Sequence, residues 1–157
     1  MRYINTLTLV SLLIPLSGCL TDSQADSVIS FEVLSTEIAP ANGVLENRKS
    51  EFIYNQYAFD EVVSRYSSEP VSPIDFTRNQ VILLNAGGSP DGVTGIQVDS
   101  VEEQGGTLSI HATEKIAGEG CYVAATETSP YVLVKISSAA RVRSVVVDRE
   151  VINCNAS

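Results

Sequence analysis

The chain has 157 residues, 44% of them hydrophobic and 6% aromatic, with no tryptophan, which is enough for one domain with a proper core. Its 10 Lys and Arg stand against 19 Asp and Glu, a formal net charge of −9. Nucleic acid and anionic headgroups both want clustered cations, so neither is expected as an electrostatic partner.

The first element is a leader. Arg2 supplies a positive start, and Leu7, Leu9, Val10, Leu12, Leu13, Ile14 and Leu16 supply a short apolar stretch. It closes on Leu16-Ser17-Gly18-Cys19, which reads as a bacterial lipobox: cleavage before Cys19 frees an amine and a thiol that then carry acyl chains. A membrane-spanning helix is the competing reading, but Asn5, Pro15 and several Thr and Ser leave too few apolar residues to cross a bilayer. Residues 1–18 are thus expected to be a signal peptide, and 19–27 an acylated Cys with a polar tether. Losing Arg2 with the leader makes the remainder one unit more acidic. Acyl chains, not a basic patch, would hold it at the membrane. Leu20 follows Cys19, where Asp would resemble an inner-membrane retention signal, so the outer membrane of a bacterial envelope is the expected address.

Residues 28–157 read as a single β-rich domain. Along residues 27–38, Ile29, Phe31 and Val33 alternate with Ser30 and Glu32, a strand pattern. Pro40-Ala41-Asn42-Gly43 punctuates it, and residues 51–54 suggest a second short strand. Phe59, Val62, Val63 and Tyr66 then fall at i, i+3, i+4 and i+7, one face of a helix with Asn55 as N-cap. Pro70 and Pro73 forbid its continuation. From Gln80 onward the pattern is β: a continuous apolar strand over 81–84, strands over 95–101 and 107–113 joined by Gln104-Gly105-Gly106, and strands over 121–126, 131–136 and 142–151. The fold class is α+β, mostly β: an antiparallel sandwich or partial barrel with one packed helix.

Residues that could carry chemistry are few. Setting Cys19 aside leaves Cys121 and Cys154, an even pair in an exported chain. That favours a disulfide, with two free buried thiols as the alternative. His111 is the only histidine; it shares a strand face with Ser109 and Thr113 and reads as a solvated residue, since a catalytic imidazole needs an orienting partner. Gly87 and Gly92 have phosphate-loop spacing, but Val93 stands where lysine is obligatory and Pro90 removes a backbone donor. Asp60-Glu61 and Glu102-Glu103 point to different faces within their elements. No catalytic residue, metal site or cofactor is expected.

The stretch from Pro73 to Cys154 resembles the C-terminal domain of the PrcB family, accessory lipoproteins of protease complexes. The resemblance is carried by Pro73-Ile74-Asp75-Phe76, by Val81-Ile82-Leu83-Leu84 ending in Gly87, and by Thr94-Gly95. It continues through Gly118-Glu119-Gly120-Cys121-Tyr122-Val123, Thr128-Ser129-Pro130-Tyr131-Val132-Leu133-Val134-Lys135-Ile136 and the closing Cys154. It implies a small β-rich domain that binds and stabilises an exported protease without catalysis of its own, and it strengthens the Cys121–Cys154 pairing. One departure stands out: the family's Thr-Gly-Gly leads to an aromatic residue, whereas Thr94-Gly95 leads here to Ile96.

The expected function is a lipid-anchored, non-catalytic module that binds an exported protein, a protease by the resemblance. Two alternatives stand beside it: a protease inhibitor using the Gly87–Gly95 loop, similar to the Thr-Gly wedges of some β-sandwich inhibitors, and a carrier of a small apolar ligand. The expected contact residues are Gly87, Gly88, Asp91, Thr94 and Gly95 in one loop, and Ser129, Pro130 and Tyr131 in another.

Overall fold

In the computed structural model, which describes residues 27–40, 43, 46–88, 92–122 and 128–154, two four-stranded sheets lie face to face and a single helix covers the back of one of them. In chain order the elements are β1 (Ser27–Val28), β2 (Phe31–Glu37), β3 (Lys49–Ile53), α1 (Gln56–Tyr66), β4 (Gln80–Asn85), β5 (Val93–Gln104), β6 (Thr107–Ala117), β7 (Tyr131–Ile136) and β8 (Arg141–Ile152). One sheet has the order β1-β5-β6-β8, the other β2-β7-β4-β3. The described residues form no closed barrel, which makes the architecture a sandwich. The lipobox with Cys19, the tether to residue 26, and Asp91 lie outside the described residues.

The sequence pattern explains the layering. In sheet β2-β7-β4-β3 the central strands β7 and β4 are buried on both faces. Ile82, Leu84, Val132, Val134 and Ile136 point into the space between the sheets, where they meet Ile96, Val98, Val101, Leu108, Ile110 and Ala112. Val81, Leu83, Tyr131 and Leu133 point the other way, onto Phe59, Val62 and Tyr66 of the helix. A strand covered on both faces reads as a continuous apolar run, as β4 and β7 do. The strands β5 and β6 cover one face only and alternate. Asn55 caps α1 as expected, its side chain accepting from the Ala58 N–H at 2.9 Å. At the β5–β6 turn, Gly105 and Gly106 have φ of 60° and 73°, the two positive values a two-residue hairpin requires.

Three expectations are corrected. Residues 27–38 do not form one strand: the chain changes sheet at Ile29-Ser30, so β1 pairs with β5 and β2 with β7. The pairing is not wholly antiparallel, because β6 and β8 run parallel. The chain leaves β6, crosses to the other sheet, reverses through β7 and reverses again into β8. Two reversals restore the original direction, and a parallel pair needs such a crossover. Finally, Cys121 and Tyr122 are not in a strand, and residues 123–127 lie outside the described residues.

These directions give the sandwich two distinct ends. At one, called here the glycine end, lie Gly87, Gly88, Gly92, the last turn of α1 and the chain after β6. At the other, the hairpin end, lie the Gly105-Gly106 turn and the entry of the chain at Ser27, opposite Glu103.

Candidate functional site

The loop residues singled out from sequence sit at the glycine end, above a polar network that sequence reasoning had not found. Asn85 closes β4 and is 2% exposed. Its Oδ1 accepts from the Gly87 N–H at 2.8 Å and the Ser129 hydroxyl at 2.9 Å, while its Nδ2 donates to the Tyr66 hydroxyl at 3.1 Å. One buried amide therefore ties both expected contact loops to the end of the helix.

From Tyr66 the network runs outward. Its hydroxyl donates to Glu46 Oε2 at 2.6 Å, and Glu46 also pairs with Lys49 and, at 3.5 Å, with Arg65. Burial pulls the Glu46 carboxyl upward, but hydrogen bonds from Lys49 and Tyr66 and the charge of Arg65 outweigh it and leave it below its ordinary range. Burial pushes the Tyr66 hydroxyl up, and its bond to Glu46 adds to that. Lys49 is held above its usual range: burial acts downward, but Glu46 and Glu51 prevail. The charges of this cluster thus pair with one another, Glu46 with Lys49 and Arg65, and Glu51 with both cations.

A second cluster joins the two sheets. Glu114 follows Leu108, Ile110 and Ala112 on the inward face of β6, and its side chain is 1% exposed. Arg48 holds both of its oxygens, each at 2.7 Å, and Arg149 of β8 approaches at 3.4 Å. A buried carboxylate needs such partners. The alternation that places Leu108, Ile110 and Ala112 inward was a signal for it.

Gly87 sits against this cluster. With φ +80°, a Cβ there would lie 2.5 Å from the Arg48 backbone nitrogen. Only glycine fits that approach. Gly88 is exposed and donates its N–H to the Glu46 carbonyl at 3.0 Å, and Thr94 is exposed while Gly95 is half-buried with open space around it.

The second expected contact loop is corrected. Ser129, Pro130 and Tyr131 are all buried. Tyr131 packs edge-on against Tyr66 with centroids 5.1 Å apart, and its hydroxyl donates to the Tyr66 carbonyl at 2.6 Å. The reason is register: as the first residue of β7 it faces the helix, as Leu133 does. Tyr122 is 93% exposed beside the Cys121–Cys154 disulfide. It follows a cysteine bonded to Cys154, just past β8, and its ring is the most exposed large hydrophobic group among the described residues. His111 lies on the outer face of its sheet, between Ser100 of β5 and Val146 of β8. No group of three metal-ligating side chains occurs among the described residues.

Residues 81–137 match the family model described as PrcB C-terminal. No curated protein and no solved structure matches the chain. The match runs from β4 through β7 and takes in the glycine loop, Cys121 and the Ser129–Tyr131 turn. It is narrower than the resemblance from Pro73 to Cys154, leaving β8 and Cys154 outside.

Proposed function

We propose that this chain, with a PrcB C-terminal domain supported over β4 to β7, is a lipid-anchored, non-catalytic module that docks on another exported protein, in the first instance a protease, at the outer membrane of a bacterial cell. The observation that carries this reading is the placement of its ends. The chain enters at Ser27, at the hairpin end, whereas Gly88, Thr94 and the Tyr122 ring lie at the glycine end. A domain tethered through Cys19 would therefore hold its docking loops away from the membrane surface. The network under those loops supplies rigidity: Asn85, Gly87 and Ser129 leave the loop bases little freedom, which lowers the entropy cost of binding. The filled space between the sheets favours docking at the surface over carriage of an apolar ligand.

The test is a crosslinked pull-down of the full lipoprotein from its own membranes, with Cys19→Ala as control and Tyr122→Ala as the interface probe. One enriched exported protein, lost or weakened with Tyr122→Ala, is the expected result. Loss of the partner's peptidase activity on adding the purified domain would make the module an inhibitor instead. Absence of any specific partner would overturn the reading.

A further inference from the structure

We propose that the free edge of β2 is a second docking site, one that takes an extended, cationic peptide segment as an added strand. The strand stands at the edge of its sheet, with β7 on one side only. An edge strand leaves a row of N–H and C=O groups unpaired, a template for another chain. What lies on its other side cannot close that row. The chain descending from the helix, Ser67-Ser68-Glu69-Pro70-Val71-Ser72-Pro73-Ile74, runs beside β2 without forming a strand. Among the described residues no main-chain bond runs from this segment to β2, and Pro70 and Pro73 have no N–H to give. Side-chain bonds pin it there: Ser35 Oγ to Ser67 Oγ at 3.4 Å, and the Ser68 N–H to Glu37 at 3.1 Å.

Between β2 and this segment is an open groove of about 630 Å³. Leu34, Val71 and Ile74 on its walls are half-buried against the helix-side core. Its charged groups are Glu32, Glu37 and Glu69 against a single Lys135, which is already paired with Glu32. The register with β7 puts Glu32 and Glu37 on the helix-side face of β2 and the half-exposed Val33 on the other, so a strand added there would meet carboxylates with one set of its alternating side chains and apolar surface with the other. The complementary occupant is an extended segment alternating apolar and basic residues. Main-chain bonds to β2 would give affinity and the side chains selectivity. The inference rests on reading the chain as a protein-docking module and adds the chemistry of what it docks.

The probe is a fluorescent peptide of alternating Val and Lys, followed by anisotropy, with hydrogen exchange to locate it on the full chain. Binding on the order of micromolar is expected, with new protection over Phe31–Glu37. N-methylation of the peptide along one edge should weaken it at least about tenfold, since that removes strand pairing and leaves charge unchanged. A Val-Glu peptide should not bind, and Glu69→Lys should weaken the Val-Lys peptide about fivefold with unchanged thermal stability. Absence of binding, protection over Arg141–Ile152 (the long exposed edge of the other sheet) or indifference to N-methylation would each overturn the proposal. If Glu69→Lys still captures its partner in the pull-down as well as the natural chain does, the groove falls and docking at the glycine end stands.

Discussion

Replacing Asn85 with Ala tests whether one buried amide organises the glycine end. The change leaves the Gly87 N–H without the acceptor it has at 2.8 Å, and the Ser129 hydroxyl without its partner at 2.9 Å. At 2% exposure the site offers little water in exchange, so the stranded N–H alone costs about 1–3 kcal/mol. The Ser129 hydroxyl can turn and Tyr66 keeps its bond to Glu46, so these losses are smaller. The total comes to about 2–4 kcal/mol, lowering Tm by about 10 °C for a domain of this size. Urea unfolding followed by far-ultraviolet circular dichroism reads it, there being no tryptophan. A double-mutant cycle with Ser129→Ala should give a coupling of about 0.5–1.5 kcal/mol. Full additivity, or an Asn85→Ala loss within about 0.5 kcal/mol of zero, would refute the claim that the two loops are tied through this side chain.

Four further outcomes are expected. Tyr131→Ala should cost about 3–5 kcal/mol, as for a buried aromatic; unchanged stability with weakened partner binding would return Tyr131 to the contact surface. Gly87→Ala should lose about 1–3 kcal/mol to backbone strain and collision with Arg48, whereas Gly95→Ala, with nothing within 4 Å, should stay near neutral; equal effects would remove the close approach as the cause. The Glu46 carboxyl is lowered in the folded state from its ordinary 4.5, so its stabilisation is present above that value and is lost as pH falls through the folded pKa. The stability gap between the natural chain and Glu46→Gln should therefore narrow on acidification, and a gap constant with pH would dismiss the carboxylate. Replacing Cys121 and Cys154 together by Ser opens a loop of sequence separation 33 and should cost about 3–4 kcal/mol by the chain-entropy account; a loss that reduction of the natural chain does not reproduce would point to the serines themselves.

Local patterns carried much of the fold. The stripe of Phe59, Val62 and Tyr66 predicts the face that α1 buries, and Asn55 its start, because both signals lie within a few residues of one another. The run over 131–136 coincides with β7 because a strand covered on both faces must be apolar throughout. Long-range arrangement was less legible. Alternation along residues 27–38 continues through the change of sheet at Ile29-Ser30, so nothing local marks the break. Only the chain path shows that β6 and β8 are parallel. In the candidate site, the Gly87 loop and the Cys121–Cys154 pair were readable from residue type. The burial of Tyr131 was not, because a tyrosine after Ser-Pro suits a turn and a core equally. Glu114 was missed for a related reason: one charged residue in a strand looks solvated until its register is followed inward and its partner, Arg48, is seen to lie just before β3 of the other sheet.

The pairing of β2 with β7 sets Phe31 opposite Ile136 and Glu37 opposite Tyr131, and this has a consequence for how the chain reaches its shape. The central sheet cannot assemble until the segment 131–136 is available to sit between β2 and β4. Until then the apolar residues of β4, Val81 to Leu84, lack the strand that separates them from solvent and from other chains. Closing so long a loop before any contact repays it makes folding slow, on the milliseconds-to-seconds scale of β sandwiches. A chain interrupted just before Tyr131 would hold the whole of α1 and six of the eight described strands yet lack the strand that joins β2 to β4. Such fragments should aggregate instead of persisting as smaller folded units.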